Sequence, residues 1–217
     1  MKFSSFSCIS MVMMVVSTAS SMAQVQLSSL GRTQNLTSYV DSIAPDIVGT
    51  IFQTDAHAYQ LNSLTLNMTE VAAGTIDFRL YAVFGGVPTG SPLFSSFTQP
   101  AIPAAYTYGD VTFTSTSTFL LSPSTAYALV LSTTGSGEWI WSGTYASNGY
   151  DNPAGNPWTF PDGFIHSHDG TSWATQPLIY MDISINATAI PEPSTYAAFA
   201  AVAALGLAIV CRRKVAA

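Results

Sequence analysis

Four consecutive residues, His166-Ser167-His168-Asp169, carry the side chains in this sequence that best suit metal chemistry. Residues two apart on a strand point to the same face, so the two imidazoles and the adjacent carboxylate suit zinc or copper. No third ligand is evident nearby, because the remaining histidine, His57, is distant in sequence. Asp169-Gly170 is also a turn signal, so we favour an exposed hairpin end over a metal site.

Aspartates in the Gly/Asn/Pro-rich stretch 148–170 offer oxygen ligands, namely Asp151, Asp162 and Asp169. Oxygen ligands on loops suit calcium, but this spacing matches no EF-hand loop. Aspartate is also a common turn residue, because its carboxylate accepts hydrogen bonds from the backbone that follows it. We therefore expect no cofactor and keep calcium as the alternative.

Aromatic side chains concentrate in the second half of the chain, where all four tryptophans lie. Aromatic rings on a β face are a common platform for sugars, and Trp158, Trp173 and Tyr150 are the residues that we assign to such a glycan face. The competing interpretation places Trp139 and Trp141 together on one strand face inside the core, with Trp173 capping it. We favour the core and keep the carbohydrate-binding surface as the alternative.

Catalytic motifs are scarce. The chain has no Gly-x-Ser-x-Gly elbow, and its two cysteines, Cys8 and Cys211, lie near the ends. Glu70 and Glu138 provide two carboxylates for a glycosidase, but nothing around them in sequence supports that role. We expect a protein that is not an enzyme, with a glycan-active enzyme as a further alternative.

The charge balance excludes one class of partner. Between residues 24 and 190 there are eleven acidic residues against two arginines, Arg32 and Arg79, and no lysine. Such a segment cannot neutralise phosphates, so nucleic acid is not an expected partner.

The elements that would carry these residues are strands. Apolar and polar residues alternate in Leu64–Met68, Ile76–Tyr81 and Ile179–Asn186, which predicts strands with one buried face. Ala126–Ser132 is more continuously apolar and suits a central strand buried on both faces. Glycines and prolines interrupt the chain at short intervals. Only Leu36–Ile43 has a pattern that is compatible with a helix. We expect an all-β fold, an antiparallel β-sandwich of jelly-roll type.

Both ends of the chain are typical of targeting segments. Residues 1–23 have a basic start at Lys2, a short apolar run and a small-residue site that predicts cleavage between Ala23 and Gln24, as in a secretory signal peptide. Residues 24–189 then form the exported β-sandwich domain, and residues 190–217 form a C-terminal anchor segment. In that segment we expect one transmembrane helix over about 196–210, although this run is short for a bilayer.

The basic tail, Arg212-Arg213-Lys214, sets the orientation of that helix, with the tail in the cytoplasm and the domain outside. The ordered combination of Pro191-Glu192-Pro193, a short apolar helix and a basic end resembles a PEP-CTERM sorting signal. The resemblance covers residues 190–217. It implies an exosortase as partner, export across the inner membrane of a Gram-negative bacterium, a transient membrane anchor, and then the outer surface or extracellular matrix.

The exported domain has a resemblance of its own. The stretches "FQTDAHAYQLNSLTLNM", "IDFRLYAVFGGVPTGSPL", "LSPSTAYALVLS", "WIWSGTY" and "DGTSW" are together similar to the choice-of-anchor R family of secreted β domains. This resemblance covers roughly residues 50–185 and implies no activity. From both resemblances we expect a non-enzymatic surface or matrix protein associated with exopolysaccharide.

Overall fold

In the computed structural model of the 217-residue chain, the residues described are 24–30, 38–42, 46–98, 100–103, 107–134, 137–145, 158–161, 163–176, 179–191, 200–206 and 208–209. They are mostly β, with 61% of residues in strands and 7% in helix. Gln24–Thr188 is one compact unit. The strands are β1 Gln24–Ser28, β2 Ser38–Ser42, β3 Ile47–Gln53, β4 Tyr59–Ala72, β5 Thr75–Phe84, β6 Val87–Phe94, β7 Gly109–Thr114, β8 Leu120–Leu121, β9 Ala126–Thr134, β10 Glu138–Tyr145, β11 Phe164–Ser167, β12 Ala174–Gln176, β13 Ile179–Met181 and β14 Ile183–Ala189.

These strands form two antiparallel sheets, which confirms the predicted all-β sandwich. The eight-stranded sheet has the order β1-β14-β4-β10-β13, with β7 and β8 also pairing with β4 and with β2 pairing with β10. The six-stranded sheet has the order β12-β11-β3-β9-β5-β6. The long strand β4 is central to the first sheet, since β14, β10, β7 and β8 all pair with it.

The core lies between the sheets and contains the apolar faces that the alternation predicted. On β5, Ile76, Phe78 and Leu80 are buried, while Asp77 and Arg79 point outward and form an ion pair. Rings bridge the two sheets, because Phe78 stacks on Phe113 of β7 at a centroid distance of 4.8 Å. The alternation in β5 therefore positions one face toward the interior and the other toward solvent.

Strand β9 is buried on both faces, as its continuous apolar run predicted. It lies between β3 and β5, and all residues from Tyr127 to Leu131 are buried. Val130 and Ala128 belong to a cluster with Ile51 and Ile165, and the half-buried Trp173 packs against this cluster. A central strand needs apolar side chains on both faces because neither of its faces meets water.

One local prediction was wrong, and one open alternative is decided. Ile179–Asn186 was predicted as one strand, but it forms β13 and β14, which pair with β10 and β1 respectively. The break is at Asp182, whose carbonyl oxygen accepts hydrogen bonds from the Asn67 amide and the Trp141 indole. Leu36–Ile43, where the sequence alone allowed a helix, contains strand β2, which pairs with β10.

Strand β6 is an edge of the six-stranded sheet and contains several residues that disfavour regular pairing. The β5–β6 hairpin turns at Gly85 and Gly86, whose φ angles of 63° and 79° suit glycine. Pro88 and Pro92 lie in the strand, and its register with β5 shifts between Thr89 and Phe94, where β6 carries the extra residues. Prolines and bulges are typical of edge strands because they interrupt the hydrogen-bonding pattern.

The C-terminal region contains helical residues at 200–206 and 208–209, within the range of about 196–210 predicted for the anchor helix. No helix in the described part of the chain combines the length and hydropathy that a bilayer crossing requires. The predicted transmembrane helix is therefore not found among these residues.

Candidate functional site

A ladder of small polar side chains covers part of the outer face of the eight-stranded sheet. Strands β4 and β7 pair in register over six residues each, and every second pair consists of polar residues. These residues alternate with the buried Leu64, Leu66, Val111 and Phe113, and they therefore point outward. We call the six outward residues the polar face: Ser63 opposite Thr114, Thr65 opposite Thr112, and Asn67 opposite Asp110.

Hydrogen bonds across the two strands organise the polar face. The hydroxyls of Thr65 and Thr112 lie 2.9 Å apart, and the amide of Asn67 donates to Oδ1 of Asp110 at 2.9 Å. Cross-strand pairs of this kind hold both side chains in defined rotamers. Since hydroxyls and carboxylates can form further hydrogen bonds, the face keeps capacity for an external partner.

An open groove adjoins the polar face at its Thr114 end. The groove has a volume of about 350 Å³ and is lined by Gln60, Leu61, Asn62 and Thr114–Thr118. Leu120 lies opposite Gln60 on β8 and is 56% exposed, which adds an apolar side chain beside the polar lining. The groove therefore offers hydroxyl and amide groups together with a small apolar contact.

The polar surface continues onto β14, on the other side of β4. The Asn62 amide donates to Oδ1 of Asn186 at 3.2 Å and to the Thr188 hydroxyl at 2.8 Å. Asn186 and Thr188 alternate with the buried Ile185 and Ala187 and point outward. Three neighbouring strands thus present hydrogen-bonding groups, all uncharged except the Asp110 carboxylate, with few apolar side chains among them.

Basic side chains are rare near this surface. Arg79 is the one lysine or arginine within the described residues, and it is on β5 of the other sheet, paired with Asp77. The hydrogen bond to Asp77 raises the pKa of the Arg79 guanidinium further. The described part of the eight-stranded sheet therefore carries no lysine or arginine.

The hairpin predicted at His166–Asp169 is confirmed. Strands β11 and β12 pair around a turn at 168–172, and the imidazole of His166 stacks on Phe164. His168 contacts the carboxylate of Asp46, which precedes β3. Within the described ranges, no three His, Cys, Asp or Glu side chains converge as a metal site requires.

Asp169 uses its carboxylate to hold its own turn. Oδ1 accepts hydrogen bonds from the backbone amides of Thr171 and Ser172 at 2.8 and 2.7 Å, and Oδ2 accepts from the Ser172 hydroxyl at 3.0 Å. These donors hold the pKa of Asp169 far below its usual range, because they stabilise the ionised form. The other two proposed calcium ligands, Asp151 and Asp162, lie outside the described residues.

The hydrogen bonds of Asp169 should make the stability of the fold depend on pH. A carboxyl whose folded-state pKa is lowered stabilises the fold above its unfolded pKa of about 4 and loses that contribution as pH falls through the folded value. We therefore expect Asp169→Asn to be less stable than wild type at neutral pH, with the difference shrinking in acid. Urea unfolding at several pH values measures this. Ser172→Ala, which removes one hydroxyl donor, should give the same trend with a smaller amplitude, whereas parallel pH profiles for wild type and Asp169→Asn would contradict the assignment.

A second polar cluster, around Asp55, was not predicted. Its carboxylate accepts hydrogen bonds from the His57 amide at 3.0 Å and the Tyr59 hydroxyl at 2.9 Å, and the His57 ring nitrogen Nδ1 lies 2.9 Å from Oδ2. Burial opposes ionisation of Asp55, but these hydrogen bonds outweigh it and lower its pKa. Burial and the bond to Asp55 raise the pKa of Tyr59 to about 12. The cluster fixes the connection between β3 and β4.

The three residues assigned to a glycan face, Trp158, Trp173 and Tyr150, differ in what the structure shows of them. Trp158 is fully buried, where it stacks on Phe52 and meets Tyr59 edge-on, so its ring is not available to a sugar at the surface. Trp173 is half-buried against the β9 cluster, and Tyr150 lies outside the described residues. Trp139 and Trp141 are both buried on β10, as the core interpretation predicted.

The remaining predicted residues are only partly described. Glu70 and Glu138 lie on the paired strands β4 and β10, where Trp139 is opposite Glu70. Gln24 begins β1, and Pro191 follows β14. The other targeting residues lie outside the described part of the chain, namely Ala23, Glu192, Pro193, Arg212, Arg213 and Lys214.

No protein-family model and no curated protein matches the chain. A solved structure described as "Structure of infectious bursal disease virus Gt strain" is 11% identical, with a TM-score of 0.27. The match covers 80% of this chain, which spans 43% of the viral chain. Similarity at this level carries no argument about fold or function.

Proposed function

We propose that the protein is an exported, non-enzymatic surface or matrix protein that associates with exopolysaccharide through the polar face and the adjoining groove. The observation that supports this proposal is the register of β4 and β7, which places hydroxyl and amide groups in successive outward rows. Polysaccharides are rich in hydroxyl groups that both donate and accept hydrogen bonds. A preorganised surface of the same character can exchange hydrogen bonds with such a chain.

The proposal moves the carbohydrate-binding surface from the tryptophan-rich region to the eight-stranded sheet. The groove is lined mainly by hydroxyl and amide side chains, and its apolar contribution comes from the nearby exposed Leu120, since Leu61 is buried. Hydrogen bonds to an exposed surface contribute little individually, so we expect weak binding to one site and stronger retention on a long polymer.

The double variant Thr65→Val/Thr112→Val tests the proposal. It removes the paired hydroxyls while keeping β-branched side chains that suit a strand. If each lost hydrogen bond contributes about 0.5–1.5 kcal/mol, binding to purified exopolysaccharide should fall by roughly tenfold. Co-sedimentation or affinity electrophoresis with the purified polymer measures the change.

Thr89→Val on β6 is the matched control, because it removes a threonine hydroxyl from the other sheet. Its binding should equal that of wild type. Equal binding by the double variant and wild type, with both proteins folded, would exclude the polar face as the contact surface.

Export and sorting form the second part of the proposal. Residues 1–23 would act as the signal peptide, and the resemblance of residues 190–217 to a PEP-CTERM signal would make an exosortase the processing partner. The membrane-crossing helix and the jelly-roll connectivity expected from the sequence belong to this proposal as well. Mass spectrometry of protein recovered outside the cell should find a chain that starts at Gln24 and ends near Pro191–Pro193; an intact C-terminus would argue against sorting.

A further inference from the structure

We infer that the polysaccharide recognised by the polar face carries free amino groups, with the carboxylate of Asp110 as their charge partner. This inference rests on the proposed function and specifies the chemical class of its ligand: an amino-sugar polymer that is at least partly free of N-acetyl groups. Two observations carry it, namely the position of one fixed carboxylate in the hydroxyl ladder and the absence of lysine and arginine from the described residues around it.

Asp110 is the acidic member of the polar face. It is exposed on β7, in the same outward row as Thr112 and Thr114, and its Oδ1 accepts a hydrogen bond from the Asn67 amide at 2.9 Å. A carboxylate can accept about four hydrogen bonds. The bond to Asn67 therefore orients the group and leaves acceptor capacity toward solvent, where an ammonium group can approach.

The surrounding charge distinguishes three classes of polysaccharide. A polymer of uronic acids would meet Asp110 with no described lysine or arginine on this sheet to offset the repulsion. A neutral polymer would form only the hydrogen bonds of the ladder. A polymer with protonated amines would form those bonds and also a charge-assisted bond to Asp110, and the chain between residues 24 and 190, which carries eleven acids and two arginines, would attract it at long range.

The dimensions of the face suit an extended chain. Asp110 and Thr114 are four residues apart on one strand, which corresponds to about 13 Å at the usual strand rise. A polymer lying along β7 would therefore reach from Asp110 to the groove at Thr114–Thr118 with more than one sugar ring. Repeated amines along such a polymer also favour rebinding at Asp110 after each dissociation.

The test compares oligomers of glucosamine with N-acetylated oligomers of the same length, by calorimetry at low salt and mildly acidic pH, where free amines are protonated. We expect the free-amine oligomer to bind more tightly to wild type. Asp110→Asn keeps the shape and a hydrogen-bonding oxygen but removes the charge, so it should lower that preference by about fivefold, the upper range for one exposed ion pair. High salt should have the same effect on wild type.

Asp77→Asn is the matched control, since it removes one acid from the outer surface of the other sheet. The inference is supported if the preference for the free-amine oligomer is lost in Asp110→Asn and retained in Asp77→Asn. Equal or better binding of the N-acetylated oligomer, or a preference that survives Asp110→Asn, overturns it. If one of these contrary results is found while Thr65→Val/Thr112→Val still weakens binding to exopolysaccharide, only the inference about amino groups fails. If the double variant binds exopolysaccharide as well as wild type does, the proposed function fails too.

Discussion

Replacing Trp158 by alanine should lower the free energy of unfolding by about 3–5 kcal/mol, as expected for a large aromatic residue in a core. The side chain is fully buried, and its ring stacks on Phe52 at a centroid distance of 5.7 Å with an interplanar angle of 12°. It also meets the edge of Tyr59 at 4.8 Å. Deletion removes these contacts and leaves a cavity that neighbouring strands cannot fill completely. Urea unfolding at neutral pH measures the loss.

Trp173→Ala provides the comparison, because this tryptophan is only half-buried against the β9 cluster. We expect it to lower the free energy of unfolding by about 1–2 kcal/mol, in proportion to the smaller apolar area that it buries. Similar losses in the two variants would contradict the burial that separates them. Neither variant should weaken polysaccharide binding while folded, since neither residue belongs to the polar face.

Replacing Gly49 by alanine should cost about 3 kcal/mol, because overpacking in a central strand forces the backbone to move. A Cβ atom at this position would clash with the carbonyl oxygen of Leu129 and lie 3.2 Å from Cγ1 of Ile165. Gly49 pairs with strands on both sides, β9 and β11, so the clash cannot be relieved by moving one side chain. The thermal unfolding midpoint and urea unfolding both report the change.

Gly109→Ala is the control for that substitution. Gly109 begins β7, and the nearest atom to an added Cβ is Cγ of the Pro103 ring at 3.1 Å, a single side-chain contact. We expect a change within about 1 kcal/mol in either direction, as for most substitutions away from the core. If both glycine variants lost equal stability, close approach of the strands at Gly49 would not explain the effect.

The strands with one buried face could be predicted because alternation is a local signal. In Ile76–Tyr81 the sequence alone separates the buried Phe78 from the outward Arg79, and the structure agrees. The break at Asp182 could not be predicted in this way. Alternation continues across it, whereas the exchange of partners depends on hydrogen bonds with β4 and β10, which are distant in sequence.

The candidate site was missed for the same reason. Thr65 and Asn67 were recognisable as the outward residues of an alternating strand, but their partners Thr112 and Asp110 are more than forty residues away. Only the register of β4 with β7 brings the two sets together. Trp158 could not be placed from the sequence because a tryptophan has the same sequence signature in a core and on a sugar platform, and burial decides between them.

The prolines of β6 have a consequence for how copies of this domain behave at high density. Pro88 and Pro92 each lack an amide hydrogen, and the extra residues of β6 between Thr89 and Phe94 disturb the spacing that a docking strand would need. Molecules crowded side by side therefore cannot extend the six-stranded sheet from one copy to the next through this strand. Any cohesion between copies would have to arise elsewhere, which keeps this boundary from seeding fibrils.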